Sequence, residues 1–584
     1  MSKLLLIVLA VCAALAPSTG AWAIEVWKVD DVQPGMTGIG RTVLKGCELQ
    51  EFEFEVLGVL RNTFPQQHII LARLSGLDLE NSGVISGMSG SPLYSGGKLL
   101  GAVAYGWPFS KEPIAGITPA ESMIELIRDQ QGFEEIEQLG MREPQGRISN
   151  DFAKAPSGSI SLTRLRAPLV VSGCPLSVYN RFAGELEAMG MMPVQGGAGA
   201  GTDAEEIELA AGMPVAITLV QGDMFVASIG TLTERIGDDV IAYGHPLLEL
   251  GYIQLPMATA EVVTVIPSQQ FSFKMATIGR TVGTLMLDRT EGISGRVGPI
   301  PHVITAHVKV NRLDIGRSFT YNYTIAEHPR LTPIMMNACI SGSVMMRGAL
   351  PDEFTIQYKV QLTTVDGDSF VFEDGGSSLN RSVWRLFDAT VGAAGTLINN
   401  PFEPTQIESV EVEIDLQRGD STAFIESVSL PRIKVTAGMD LRLELEVMRH
   451  RQDPATIDID VPIPANLPPG IYDIIVCDAD GARQIDANQA SFRFEPRNYQ
   501  ELLDALRRQY PANRVYTRII LRDNTGLEVN RKALPNLPAS YLSMLTPVGG
   551  GSKEMITSSI SSSTQMPHLI SGGQRVQFMV EKED

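Results

Sequence analysis

Cysteine is scarce: five in 584 residues, with no CxxC pair and no zinc-like spacing. A disulfide-framework scaffold is excluded. Cys12 lies in the amino-terminal apolar run. Cys47, Cys174, Cys339 and Cys477 are far apart, an even number that permits disulfides without specifying them and reads equally well as buried thiols. Positive charge is also in deficit, with 47 Lys and Arg against 67 Asp and Glu, a net charge of −20 and a pI near 4.9. That balance excludes a nucleic-acid partner and adhesion to an anionic membrane surface. After the first residues no stretch reaches the roughly 18 to 20 apolar positions of a spanning helix, so the mature chain is expected to be soluble. Phosphate-loop, dinucleotide and HExxH motifs are missing, so no metal or nucleotide cofactor is implied.

What is present is apolar stock and turn chemistry: 44% hydrophobic residues, 55 Gly and 35 Pro. This composition belongs to a strand-rich globular protein, long enough for three or four domains at roughly 150 residues each. The amino terminus carries Lys3, an apolar run from Leu4 to Ala16, then Pro17 and the triplet Ala21-Trp22-Ala23. This is the pattern of a secretory signal over 1–23, cleaved after Ala23, and it places the chain in the periplasm or cell envelope, or outside the cell.

Between 24 and 131 the text reads as short strands, with Phe52, Phe54 and Val56 alternating with Glu, then a helix N-capped by Thr118 with Glu121 closing a capping box. A connecting region, 132–212, contains a short helix at 177–189 and ends in a Gly/Ala linker at 196–201. A second β block spans 213–364, with a hairpin tip at Gly237-Asp238-Asp239. The alternations at Val410, Val412, Ile414 and Leu416 and at Leu441, Leu443, Leu445 and Val447 predict β-sandwich modules over 365–497. A helix near 498–510, strands and a mobile Ser/Gly-rich tail complete 498–584.

The densest chemical signal is Gly87-Met88-Ser89-Gly90-Ser91-Pro92. A nucleophilic Ser needs its Oγ on a tight turn with backbone N–H groups aimed at a developing oxyanion. Ser89 is the candidate nucleophile, and the N–H groups of Gly87 and Ser89 are the candidate oxyanion donors. Gly90 is expected to clear the approach of the acyl group. From six residues alone, a Gly/Ser hairpin loop reads the same way. Among seven histidines, His245 in Tyr243-Gly244-His245-Pro246 ends a strand at a Gly/Pro turn, a place suited to a general base or to a structural histidine. For an orienting acid the candidates are Asp288 and Asp78, either of which reads equally as a solvated turn carboxylate; a Ser-His dyad is the alternative. Ile340-Ser341-Gly342-Ser343 lacks the flanking Gly and Pro and is read as a remnant or coincidence.

The segments Gly83 to Pro92 with Leu100-Gly101-Ala102-Val103, and Gly230-Thr231-Leu232-Thr233 with Tyr243 to Pro246, resemble the two halves of the SpoIVB-type serine peptidases. The resemblance implies a mainly β fold, a chymotrypsin-like double β-barrel followed by Ig-like β-sandwich domains, acting on a protein substrate such as a signalling partner or the enzyme itself. It implies Ser89 as nucleophile and His245 as general base. Here the Ser segment precedes the His segment, the reverse of the family order, so a permuted or duplicated arrangement is expected; triads are defined by geometry rather than chain order. The alternative is a non-enzymatic envelope protein that keeps the scaffold for binding or assembly.

Overall fold

The computed structural model describes residues 24–64, 67–138, 163–165, 167–196, 208–269, 272–529, 532–534, 537–538, 540–541, 544 and 553–581. The expected signal at 1–23 and the linker at 197–201 lie outside these. The chain divides into two compact units. The first runs to residue 301, except for 173–184 and 219–225, which belong with 302 onward in the second.

The first unit holds two closed six-stranded antiparallel barrels. In barrel one, β1 (Thr37–Val43), β2 (Leu49–Phe64), β3 (Gln67–Ser75), β6 (Ile114–Pro119), β5 (Lys98–Gly106) and β4 (Pro92–Ser95) pair in that order, and β4 closes on β1. Period-two alternation on β2 turns Phe52, Phe54 and Val56 inward and the intervening Glu residues outward. Opposite the two rings stand Gly40 and Gly38, where an added Cβ would come within 2.2 Å and 2.8 Å of ring carbons. Only glycine fits there, and its absent side chain lets the phenylalanines fill the interior. Three short strands flank the barrels: β7 (Thr163–Arg164) pairs with β5, and β8 (Pro168–Ser172) pairs with β9 (Met192–Gln195).

Barrel two is formed by β10 (Pro214–Gly222), whose Val215–Ile217 pair with β13 (Gly251–Ile266), then β14 (Phe273–Arg289), β15 (Gly292–Val297), β12 (Asp239–Ala242) and β11 (Phe225–Ile236), which returns to β10. The helix Ala120–Gln138 packs on both barrels through Met123 and Ile127 against Ala102 and Ile241. Thr118 is not its N-cap: it lies on β6, and its hydroxyl donates to the Gly244 carbonyl at 2.5 Å. The hairpin read at Gly237-Asp238-Asp239 joins β11 to β12, and Asp239, where β12 starts, is buried and accepts from Arg296 Nε at 2.8 Å and from Gln130 and Gln131. The short helix of the connecting region forms as Leu176–Ala188.

In the second unit a sheet ordered β19 (Ser369–Ser377), β18 (Phe354–Thr364), β20 (Ile407–Arg418), β16 (Val303–Arg312), β17 (Arg317–Ala326) carries helices Leu331–Met345 and Asp388–Ile398. The alternation at Val410 to Leu416 therefore buries a helix-backed sheet and not a sandwich, and the His-bearing barrel ends at Val297 rather than near 364. Ile340 to Ser343 are buried inside the helix Leu331–Met345, which disposes of any barrel remnant there. The sandwich lies further on. One sheet has β21 (Thr422–Ser429), β23 (Asp440–Arg449), β24 (Ala455–Pro462) and β29 (Leu569–Ser571). The other has β22 (Lys434–Thr436), β25 (Gly470–Cys477), β26 (Arg514–Val529), β27 (Lys532–Leu534), β28 (Lys553–Gln565) and β30 (Gly573–Glu581). Leu441, Leu443, Leu445 and Val447 meet Ile474, Val476, Ile519 and Phe578 between them. Of the tail read as mobile, 549–552 lie outside the described residues and the Ser-rich part from Lys553 onward forms strand β28, paired along β26, so strand partners supply the order that composition did not suggest. The helix Tyr499–Arg507 starts at Asn498, whose side chain caps Glu501 N. Cys47, Cys174, Cys339 and Cys477 are all free thiols.

Leu443→Ala removes a fully buried side chain from the sandwich. It is expected to cost about 2–5 kcal/mol, read as a lower urea midpoint of the sandwich transition; an unchanged midpoint would show that this core is not as described.

Candidate active site

Ser89 lies on a turn whose backbone is almost completely committed. Ser86 N–H donates to Ser272 O at 2.7 Å, Met88 N–H to Ile85 O at 2.9 Å, Gly90 N–H to Val103 O at 2.7 Å and Ser91 N–H to Met88 O at 2.8 Å. The carbonyls are taken as well: Ser86 O by Lys274 N–H at 2.9 Å, Ser89 O by Thr231 N–H at 2.8 Å, Gly87 O by the Thr231 hydroxyl and Gly90 O by the Thr233 hydroxyl, both at 2.8 Å. Two donors in this run have no acceptor among the described residues, the N–H groups of Gly87 and Ser89. Gly87 and Gly90 both adopt φ of +95°, which a side chain would strain.

Gly90 serves a different purpose from the one its place in the motif suggested. A Cβ there would lie 1.9 Å from Thr231 O and 2.5 Å from Tyr243 N, so its missing side chain lets barrel two close on the turn.

That closure delivers His245. Thr231 O accepts from Tyr243 N at 3.2 Å, and a Cβ on Gly244 would lie 3.3 Å from Val103 O, the same carbonyl that holds Gly90. Tyr243 and Gly244 take φ of +69° and +68°, a double left-handed step that turns the chain sharply before the histidine. His245 Nδ1 lies 2.8 Å from Pro246 O. A carbonyl only accepts, so Nδ1 carries the proton and Nε2 presents its lone pair. Ser89 Oγ and His245 Nε2 are both buried without a hydrogen-bond partner, and no hydrogen bond joins them. Burial, ahead of a small opposing contribution from the Pro246 carbonyl, lowers the His245 pKa to about 4.

Asp288 does not touch the imidazole. Its carboxylate accepts from Leu247 N at 2.7 Å, Leu248 N at 2.8 Å and Leu250 N at 3.0 Å, which fixes the loop that follows His245. Burial raises its pKa to about 6 against the pull of those three N–H groups. The arrangement is two-tiered: the carboxylate holds the loop, and the Pro246 carbonyl of that loop holds the ring. Asp78 is the residue before helix Leu79–Ser82 and bonds Asn81. His68, the other described histidine of the first unit, accepts from Asn62 N.

Two participants escaped sequence reasoning, Thr231 and Lys274. Thr231 stood in a quoted segment without a role. Lys274 shares its strand parity with Ala276 and Ile278, both inward-facing, so a lysine at a core position was the available signal.

Residues 14–123 match the family model described as SpoIVB peptidase S55, and the Ser89 turn and the whole of barrel one fall within the matched residues. His245 lies outside the matched residues. Comparison with curated proteins and with solved structures returns no match.

Gly90→Ala is expected to lower the melting temperature by several degrees, since it adds both strain and a backbone clash; a wild-type melt would contradict the close approach. The two buried titrating groups act in opposite senses. His245, depressed from 6.5 to about 4, gives stability that is present above pH 6.5 and lost as pH falls through 4. Asp288, raised from 3.8 to about 6, gives stability that is present below pH 3.8 and lost as pH rises through 6. In His245→Gln the melting temperature should therefore rise, relative to wild type, on acidification from pH 6.5 to 4.

Proposed function

We propose that this protein is an exported serine endopeptidase, acting in the periplasm or cell envelope on a protein substrate, with Ser89 as nucleophile and His245 as general base. The observation that carries the reading is the pairing of an unpartnered Ser89 Oγ with the two unpartnered N–H groups, Gly87 and Ser89, on a turn where every other N–H from 86 to 91 is taken. The match of residues 14–123 to a peptidase family supports the same class of chemistry.

The groups present account for a cofactor-free acyl transfer. As Ser89 Oγ bonds to the scissile carbonyl carbon, its proton passes to His245 Nε2, and the carbonyl oxygen takes up negative charge beside the N–H groups of Gly87 and Ser89. The imidazolium is held through Nδ1–H by Pro246 O, then returns the proton to the leaving amine as the C–N bond breaks. Water repeats the sequence on the acyl-enzyme and releases Ser89. Because Ser89 and His245 are buried, a peptide reaches them only when the residues covering them give way.

The purified chain is expected to react with a fluorophosphonate probe at Ser89, located by mass spectrometry. Labelling should be absent in Ser89→Ala, slowed about 10²-fold or more in His245→Ala, and slowed comparably in Gly87→Val. In wild type the rate should rise as pH increases through about 4, where His245 becomes neutral. Equal labelling of Ser89→Ala would remove the nucleophile assignment. No labelling of a folded wild-type chain would leave the non-enzymatic alternative.

A further inference from the structure

Lys274, the second residue of β14, faces inward and is completely buried. Placing an ammonium in the interior costs several kcal/mol unless hydrogen bonds and opposite charge offset it. No carboxylate pairs with this one among the described residues. Its Nζ donates to Thr42 Oγ1 of β1 at 2.9 Å and to Thr231 Oγ1 of β11 at 3.3 Å. Thr42 also accepts from Ser91 Oγ at 3.1 Å. The Thr231 hydroxyl, with its lone pair facing Nζ, is left to donate to Gly87 O at 2.8 Å. The backbone N–H of Lys274 meanwhile donates to Ser86 O at 2.9 Å. A Cβ on Gly87 would lie 3.2 Å from Lys274 Cβ, Cγ and Cδ, so the lysine stem forms the wall behind Gly87.

One residue thus controls the carbonyls on both sides of Gly87, one directly and one through Thr231. In a trans peptide the C=O and N–H point in opposite directions. Holding Ser86 O against β14 therefore turns the Gly87 N–H away from β14, where it is left without an acceptor.

We propose that Lys274 is a positioning residue of the peptidase site: it locks the peptides flanking Gly87 so that the Gly87 N–H stays aimed at the oxyanion, and its ammonium supplies positive charge behind that donor. The proposal rests on the Ser89 reading above. A donor already oriented needs no reorganisation when charge develops, and a fixed cation behind it strengthens the same effect in a dry interior. The groups that bond Nζ are the hydroxyls of Thr42 on β1 and Thr231 on β11, with the Ser91 hydroxyl behind Thr42, none of which titrates near neutrality. Burial lowers the Lys274 pKa to about 7, so the charge is lost as pH rises through neutrality.

The test is the rate of fluorophosphonate labelling at Ser89 of the full chain, measured against pH for wild type, Lys274→Met, Thr231→Val and the double variant. The probe forms an Oγ–P bond, expels fluoride and leaves its phosphonyl oxygen in the place of the oxyanion. Each single variant is expected to slow labelling about 10-fold at pH 6. The double variant should lose less than the product of the two single losses, because both loosen the Gly87 carbonyl while only the lysine also supplies charge. The wild-type decline above pH 7 should vanish in Lys274→Met, an outcome that a space-filling role would not produce. Absence of labelling in wild type would overturn the Ser89 reading itself. Labelling of wild type together with unchanged rates and an unchanged pH profile in the variants would overturn the role of Lys274 alone, as would fully additive losses. If Lys274→Met does not melt cooperatively, Thr231→Val carries the test, and a wild-type rate in that variant would overturn the proposal.

Discussion

The contact on which the site depends is the seam between Thr231 and the Ser89 turn. The Thr231 N–H binds Ser89 O, its carbonyl accepts from Tyr243 N, and its hydroxyl binds Gly87 O. A single residue of barrel two therefore grips the turn of barrel one and the approach to His245. Each such bond is worth about 0.5–1.5 kcal/mol net, so its value lies less in stability than in register. Gly90 makes the seam possible by placing no Cβ where Thr231 O must sit.

The physical logic of the site is backbone satisfaction with two deliberate exceptions. Buried N–H groups are almost always paired, and around Ser89 all are except the pair suited to an oxyanion. The side-chain atoms left alone, Ser89 Oγ and His245 Nε2, are the ones that exchange a proton in the proposed reaction. No carboxylate touches the ring: Asp288 holds the backbone of the loop, and that backbone holds the ring. An imidazole held by a carbonyl is fixed in tautomer but gains less charge stabilisation than one held by a carboxylate, and its burial keeps it neutral at all but acidic pH.

The β character of the first segment was legible because strand parity is a local property, Phe52, Phe54 and Val56 declaring their face within five residues, whereas the double barrel came only from the family resemblance. The Ser motif was legible because its glycines mark a strained turn. The class of element backing a strand was not, since Val410 to Leu416 alternate alike whether a helix or a second sheet covers them. The tail misled for a related reason: serines on β28 read as low complexity, yet partner strand β26 orders them. Asp288 was found by its position near the His segment, but whether a carboxylate reaches a ring or a backbone three residues away depends on loop geometry that spacing does not encode. Thr231 and Lys274 act only through long-range contacts, across 144 residues from Thr231 to Gly87 and 232 from Lys274 to Thr42.

The account stands most directly on where an oxyanion would sit. A crystal structure of the chain phosphonylated by the probe measures this. The account predicts an adduct on Ser89 Oγ with its phosphonyl oxygen about 2.7–3.1 Å from both Gly87 N and Ser89 N and His245 Nε2 turned toward Oγ. An adduct on another residue, or a phosphonyl oxygen directed away from both N–H groups, would contradict it.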